Sequence, residues 1–192
     1  MKSVCTAAAL LLLAAGSAHA QTPAPQSLTL AASLNRGYNT VKMNLTEEAA
    51  KMPEADYGFK PGPAAELRTY GQLFAHGATS QFNSCATALA QPNPNQGHNL
   101  EAELKTKAEF QKALADSFAL CDKAFAALTD QNATEMVKQG QNEIARAALL
   151  ANVVAHSNEM YGTGAVYMRA KGLVPPSTER ATSMAGRGGP GQ

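Results

Sequence analysis

The sequence predicts an all-α protein, an antiparallel four-helix bundle. Three observations lead there. The chain has 192 residues, enough for one domain with a real core, and 45% of them are apolar. Much of that fraction is alanine, the residue that enters a helix at least cost. Four long stretches repeat apolar residues at three- and four-residue steps, which is one face of a helix. Runs rich in Pro, Gly and Asn separate them, so sequence neighbours are expected to pack side by side.

Residues 1–20 read as a signal peptide. Lys2 supplies a short positive start, and Ala7 to Ala15 is an apolar run too short to span a bilayer. Ala18-His19-Ala20 fits the small-x-small cleavage rule and puts the mature start at Gln21. Cys5 leaves with the leader. Residues 21–27 form a polar, Pro-containing lead-in that is expected to be mobile.

The domain is expected over residues 28–176. A first helix runs from Leu28 to about Lys51 on Leu30, Leu34, Tyr38, Val41 and Leu45, and Pro53 stops it. Met52 to Pro63 is a loop whose Tyr57 and Phe59 should pack over one end of the bundle. A second helix runs from about Ala65 to Ala90. It carries His76 and Cys85, nine positions apart and therefore pointing in roughly opposite directions at about 100° per residue. One site using both is not expected. Gln91 to Asn99 is a turn-rich break in which His98 is solvated. Glu101 with Lys105 reads as a solvated pair on a helix face.

Thr106-x-x-Glu109 is a capping box that opens a third helix. Phe110, Leu114, Phe118, Cys121, Phe125 and Leu128 continue it to about Thr129. After a turn at Asp130 to Asn132, the fourth helix begins between Thr134 and Asn142 and runs to Lys171. Its end is well marked. Lys171 sits in the last turn, Gly172 suits a left-handed position after the helix, and Pro175-Pro176 forbid continuation. Residues 177–192 end in GRGGPGQ and are expected to be disordered.

Removal of the leader leaves Cys85 and Cys121. An exported chain, periplasmic or secreted, meets an oxidising environment, where an even pair reads first as a disulfide. A reactive thiol is the alternative. Formal charge is +1, and loss of Lys2 takes it to about zero. No basic stripe offers itself to nucleic acid. No stretch after the leader is long and apolar enough to hold a membrane. A phosphate-cradling glycine loop, a serine elbow and a Cys-x-x-Cys are also missing. The partners left open are a small-molecule ligand and a second copy of the chain in a homodimer.

The chemistry gathers on the fourth helix. Leu149, Val153, His156, Met160, Gly164 and Tyr167 share one face, so His156 and Met160 lie one turn apart. A His one turn before a second donor is a common way for a helix to offer two ligands to a metal. The bland reading is a histidine beside a core methionine. Bundle sites form where inward residues of facing helices converge, and His76 on the second helix is the partner for this pair.

The run AHSNEMYGTGAVYMRAKGLVPPS at 155–177 resembles the last bundle helix of the DinB-like superfamily, particularly its secreted members. GQLFAH at 71–76 resembles that family's Gly-Gln-Leu-x-x-His segment, and MPEADYGFKP at 52–61 resembles its linker. The resemblance covers roughly residues 28–177. It implies a four-helix bundle and a divalent metal site, zinc or nickel, with His76 and His156 as ligands. The family's second histidine of the pair is Met160 here, so its metal triad is incomplete. Some members carry thiol transfer or isomerisation dependent on a small thiol, and many have no assigned activity. Two classes of function follow. One is a metal-dependent enzyme acting on a small molecule, of hydrolase or thiol-transferase type, with Glu159 as a third ligand or base. The other is a non-catalytic bundle that binds a small ligand, a soft metal or a protein partner, which a thioether at 160 favours.

Overall fold

The computed structural model describes residues 27–187, so the segment expected to be a signal peptide, nearly all of the expected lead-in and residues 188–192 lie outside it. Six α-helices follow in chain order among the described residues. They are α1 (Leu30–Lys51), α2 (Tyr70–Ala88), α3 (Leu100–Glu103), α4 (Lys107–Ala126), α5 (Arg146–Ala170) and α6 (Pro176–Arg187). A hairpin of β1 (Met136–Gln139) and β2 (Asn142–Ala145) stands before α5. The four long helices α1, α2, α4 and α5 form the bundle, with α1 and α2 each packed on both α4 and α5.

Their directions refine the expected arrangement. Asp130 accepts from the Ala31 amide and Gln111 donates to the Ala49 carbonyl, so α1 and α4 run antiparallel. Gln81 meets Ser157 while Tyr70 lies beside Tyr167, so α2 and α5 are antiparallel too. By contrast Gly71 faces Phe110 while Cys85 is joined to Cys121, so α2 and α4 run parallel. The order is up, down, down, up. A parallel step needs a crossover, and residues 89–106 supply it by running back along α2. The strictly antiparallel order expected from short loops gives way here because this one connection is long.

The Cys85–Cys121 disulfide forms across that parallel contact, with Cα atoms 5.1 Å apart and both residues fully buried. It closes a sequence separation of 36, worth about 4 kcal/mol in the chain-entropy account. Tyr38 on α1 stacks on Phe125 of α4 at 4.0 Å and meets Phe118 edge-on.

The 52–61 linker, α2 and α4 together close the end of α1. Helix C-termini leave carbonyls without partners. Here Tyr70 Oη donates to the Glu48 carbonyl, Tyr57 Oη to that of Ala49, and Lys107 Nζ to those of Ala50 and Met52. Phe59 then sets its ring edge-on to Tyr167, 6.0 Å away, with Lys171 Nζ 4.5 Å from its centre.

Three boundaries differ from expectation. The second helix starts at Tyr70, five residues late, because Thr69 and Gln72 form a reciprocal capping box. The fourth starts at Arg146. Before it Val137 pairs with Ile144 across a two-residue turn, and Gly140 takes φ 64° there, which suits the first position of a type II′ hairpin. Residues 177–187, expected to be disordered, belong to α6. Pro176 is its first residue, where a missing N–H costs nothing. Arg180 pairs with Glu47, and Lys51 with Glu179, fastening α6 to α1. The stop of α5 is as expected. Gly172 at φ 73° lets its N–H reach the Arg169 carbonyl and the Leu173 N–H reach that of Met168.

Candidate metal and ligand site

His76 and His156 face each other between α2 and α5. Their ring centroids are 5.1 Å apart and their planes cross at 74°. Both side chains are partly exposed, at 31% and 22%. Met160 lies one turn below His156 and is 6% exposed. It packs toward Gly77, where an added Cβ would sit 3.6 Å from Met160 Cγ. The pair therefore sits at the rim of the bundle, with the Met160 side chain buried one turn further along α5.

Each imidazole has its Nδ1 against a carboxylate. His76 Nδ1 is 2.9 Å from Glu101 Oε1, and His156 Nδ1 is 3.0 Å from Glu159 Oε2. A carboxylate accepts, so each Nδ1 carries the proton in the neutral ring, and each Nε2 keeps its lone pair. Glu159 does not point into the bundle. Its side chain is 66% exposed and turned back along its own helix. The carboxylate expected as a third ligand or base is engaged with Nδ1 of His156 instead.

Glu101 was expected to pair with Lys105. Lys105 Nζ instead donates to the Ala102 carbonyl, and Glu101 turns to α2. Arg68 Nε donates to Glu101 Oε2 at 2.8 Å, and Gln72 Nε2 donates to the Glu101 carbonyl at 3.2 Å. Burial pushes the Glu101 carboxyl up, but the hydrogen bonds from Arg68 and His76 outweigh it and hold it below the usual carboxylate range. The crossover explains the meeting. Because α4 runs parallel to α2, the chain must return past the first half of α2, and α3 lies on that return. Gln72 and His76 lie one turn apart on α2 and Arg68 just precedes its cap, but their common partner is 25 residues beyond His76.

Gly71 and Leu73 of the GQLFAH run serve the core. A Cβ at Gly71 would lie 2.4 Å from the Phe110 ring, so only glycine lets that ring seat against α2. Cys85 turns to α4 while His76 turns to α5, as their spacing requires. His98 is exposed and meets Glu103 at 3.1 Å. No group of three or more His, Cys, Asp or Glu residues able to hold a metal ion is found among the described residues.

No protein-family model matches the chain, and no curated protein matches it. Solved structures do. A DinB-like protein from Bacillus cereus ATCC 10987 superposes with TM-score 0.60 at 13% identity, covering 74% of this chain and 93% of that one. A conserved protein from Enterococcus faecalis gives 0.60 at 12%, covering 75% and 98%. A DinB-like protein from Bacillus subtilis gives 0.56 at 19%, covering 74% and 94%. The shared part is nearly the whole of each neighbour, and this protein has the DinB-like fold.

Proposed function

We propose that this is an exported DinB-like bundle that binds a metal ion through His76 and His156, with Met160 as a third, soft donor. One observation carries the reading. Both imidazoles have Nδ1 against a carboxylate, an arrangement that fixes the tautomer and raises ligand basicity in metal sites. The donor set departs from a zinc enzyme's. Two nitrogens and a thioether suit Cu(I) better than zinc, which favours nitrogen, thiolate or carboxylate ligands. Weak zinc binding and tighter Cu(I) binding are expected. Export is supported by the leader pattern and the buried disulfide, and no described helix is long and apolar enough to cross a membrane.

A second reading is a metal-dependent enzyme acting on a small molecule. It rests on the exposure of the histidine pair, which leaves a bound ion open to a further ligand from solvent. Such an ion would supply a Lewis acid or an activated water. The chain's own part is to hold both imidazoles with their Nε2 lone pairs free.

The test is calorimetric titration of the tag-free mature protein with Zn²⁺, Ni²⁺ and Cu(I), beside Met160→His. The substitution restores a third nitrogen and should raise Zn²⁺ or Ni²⁺ affinity at least about tenfold, or roughly 1.4 kcal/mol. Equal and negligible binding of all three ions by both proteins would remove the metal reading.

A further inference from the structure

We infer that Glu101 is the positioning residue of this site: it holds His76 as an Nε2 donor, and α3 exists in this chain to deliver it. The inference rests on the metal reading only for its consequence, not for its geometry. Arg68, just before the cap of α2, and Gln72 and His76 on the helix all converge on Glu101 at 2.8, 3.2 and 2.9 Å. They use both carboxylate oxygens and the backbone carbonyl, so the residue is gripped at three points.

The geometry separates this role from loop anchoring. A carboxylate bound to Arg68 alone would fasten the crossover equally well. The second oxygen is spent on a histidine that faces another histidine across the bundle. Free imidazole in water favours the proton on Nε2, which would leave no lone pair toward His156. An acceptor at Nδ1 reverses that choice. Gln72 adds a brace. Its Oε1 accepts from the Thr69 amide in the capping box while its Nε2 holds the Glu101 carbonyl. The start of α2 and the orientation of His76 are thereby set by one network.

The opposite imidazole is held less firmly. Glu159 is an exposed residue one turn along the same helix, with no other side chain fixing it among the described residues. His76 is therefore the fixed donor of the pair and His156 the adjustable one.

Glu103 provides an internal control. It lies on the same short helix and accepts from the Asn99 amide and meets His98, but does not touch His76. The experiment is ¹⁵N NMR of the imidazoles in the metal-free full chain. The variants are Glu101→Ala, Glu101→Gln and Glu103→Ala. The native protein and Glu101→Gln, which keeps an acceptor oxygen, should show His76 with its proton on Nδ1. Glu101→Ala should move it to the Nε2–H form, and Glu103→Ala should not. In the Met160→His background, Zn²⁺ affinity should fall about 10- to 100-fold with Glu101→Ala. An unchanged tautomer in Glu101→Ala, or the same change in Glu103→Ala, would overturn the inference and leave Glu101 as a loop anchor. The tautomer is read without metal, so failure of metal binding counts against the functional reading alone.

Discussion

Gln81 and Glu48 are the two largest polar side chains buried in the bundle, and they are treated in opposite ways. Gln81 on α2 is 1% exposed, and its amide is used at both ends. Its Nε2 donates to Ser157 Oγ on α5 at 3.1 Å, and its Oε1 accepts from Ser117 Oγ on α4 at 2.7 Å. Glu48 on α1 is fully buried, and neither carboxylate oxygen has a hydrogen-bond partner among the described residues. Two tyrosines lie near it, but each donates elsewhere: Tyr57 and Tyr70 cap backbone carbonyls of α1. Burial alone pushes the Glu48 carboxyl from 4.5 up to about 9, so it is a neutral acid at pH 7. It packs flat on Gly164, where an added Cβ would lie 2.7–2.8 Å from the carboxyl group. Burial depth is equal for the two residues. What separates stabilising from costly is whether a neighbouring helix brings a hydrogen-bonding side chain to the same level.

Substitutions at each position can sharpen or break this contrast. The largest loss is expected at Gln81→Ala. It removes two buried hydrogen bonds and leaves a cavity between three helices, at a cost of about 3–4 kcal/mol in denaturant unfolding. A cost under about 1 kcal/mol would mean that the serines re-pair freely and that the network adds little.

Glu48→Met should act in the other direction. Between pH 4.5 and about 9 the unfolded chain has lost this proton while the folded chain keeps it. The contribution of the neutral acid is therefore full below 4.5 and lost as pH rises toward 9. Methionine of similar length should stabilise the protein on the order of 3 kcal/mol at pH 7 and by little near pH 4. The depressed carboxyls of Glu101, Glu103, Glu109 and Asp130 act oppositely on the acid side, and they cancel in the difference between the two proteins. A pH-independent gain would show that Glu48 is ionised or solvated in the fold.

Gly164→Ala should cost about 1–3 kcal/mol, because the new methyl meets the carboxyl group. The cost should vanish in a Glu48→Ala background, so the double-mutant cycle reads the contact directly. Additive effects would place the strain elsewhere. Glu159→Gln marks the solvent end of the scale. Its exposed pair with His156 should move stability by less than about 0.5 kcal/mol.

The helix faces were legible in the chain. So were the Thr106–Glu109 capping box, the Gly172 stop, the Cys85–Cys121 bridge and the convergence of His76 with His156. Each depends on local spacing or on one pairing of two stripes, and spacing is written in the sequence. The Thr69–Gln72 box, the Gly140 hairpin and the Pro176 start of α6 were also local, and were masked by stronger signals beside them. Helical stripes ran on through the first two, and the glycine-rich end hid the third.

Glu101 and Glu48 were of a different kind. In the sequence one is a surface charge near a lysine and the other a glutamate in a run of Glu and Ala. Their roles follow from where the chain turns back. The parallel run of α4 sends the crossover past His76, and the seating of α1 on α5 at Gly164 shuts water away from Glu48. A side chain's helical face is determined by its own few neighbours. Whether its polar end finds a partner depends on residues brought from elsewhere by the fold, 25 positions away for His76 and none at all for Glu48 among the described residues. The sequence thus determined which faces pack, and only the tertiary structure decided which polar groups are satisfied, because hydrogen bonds require specific atoms within about 3 Å while burial requires only an apolar face.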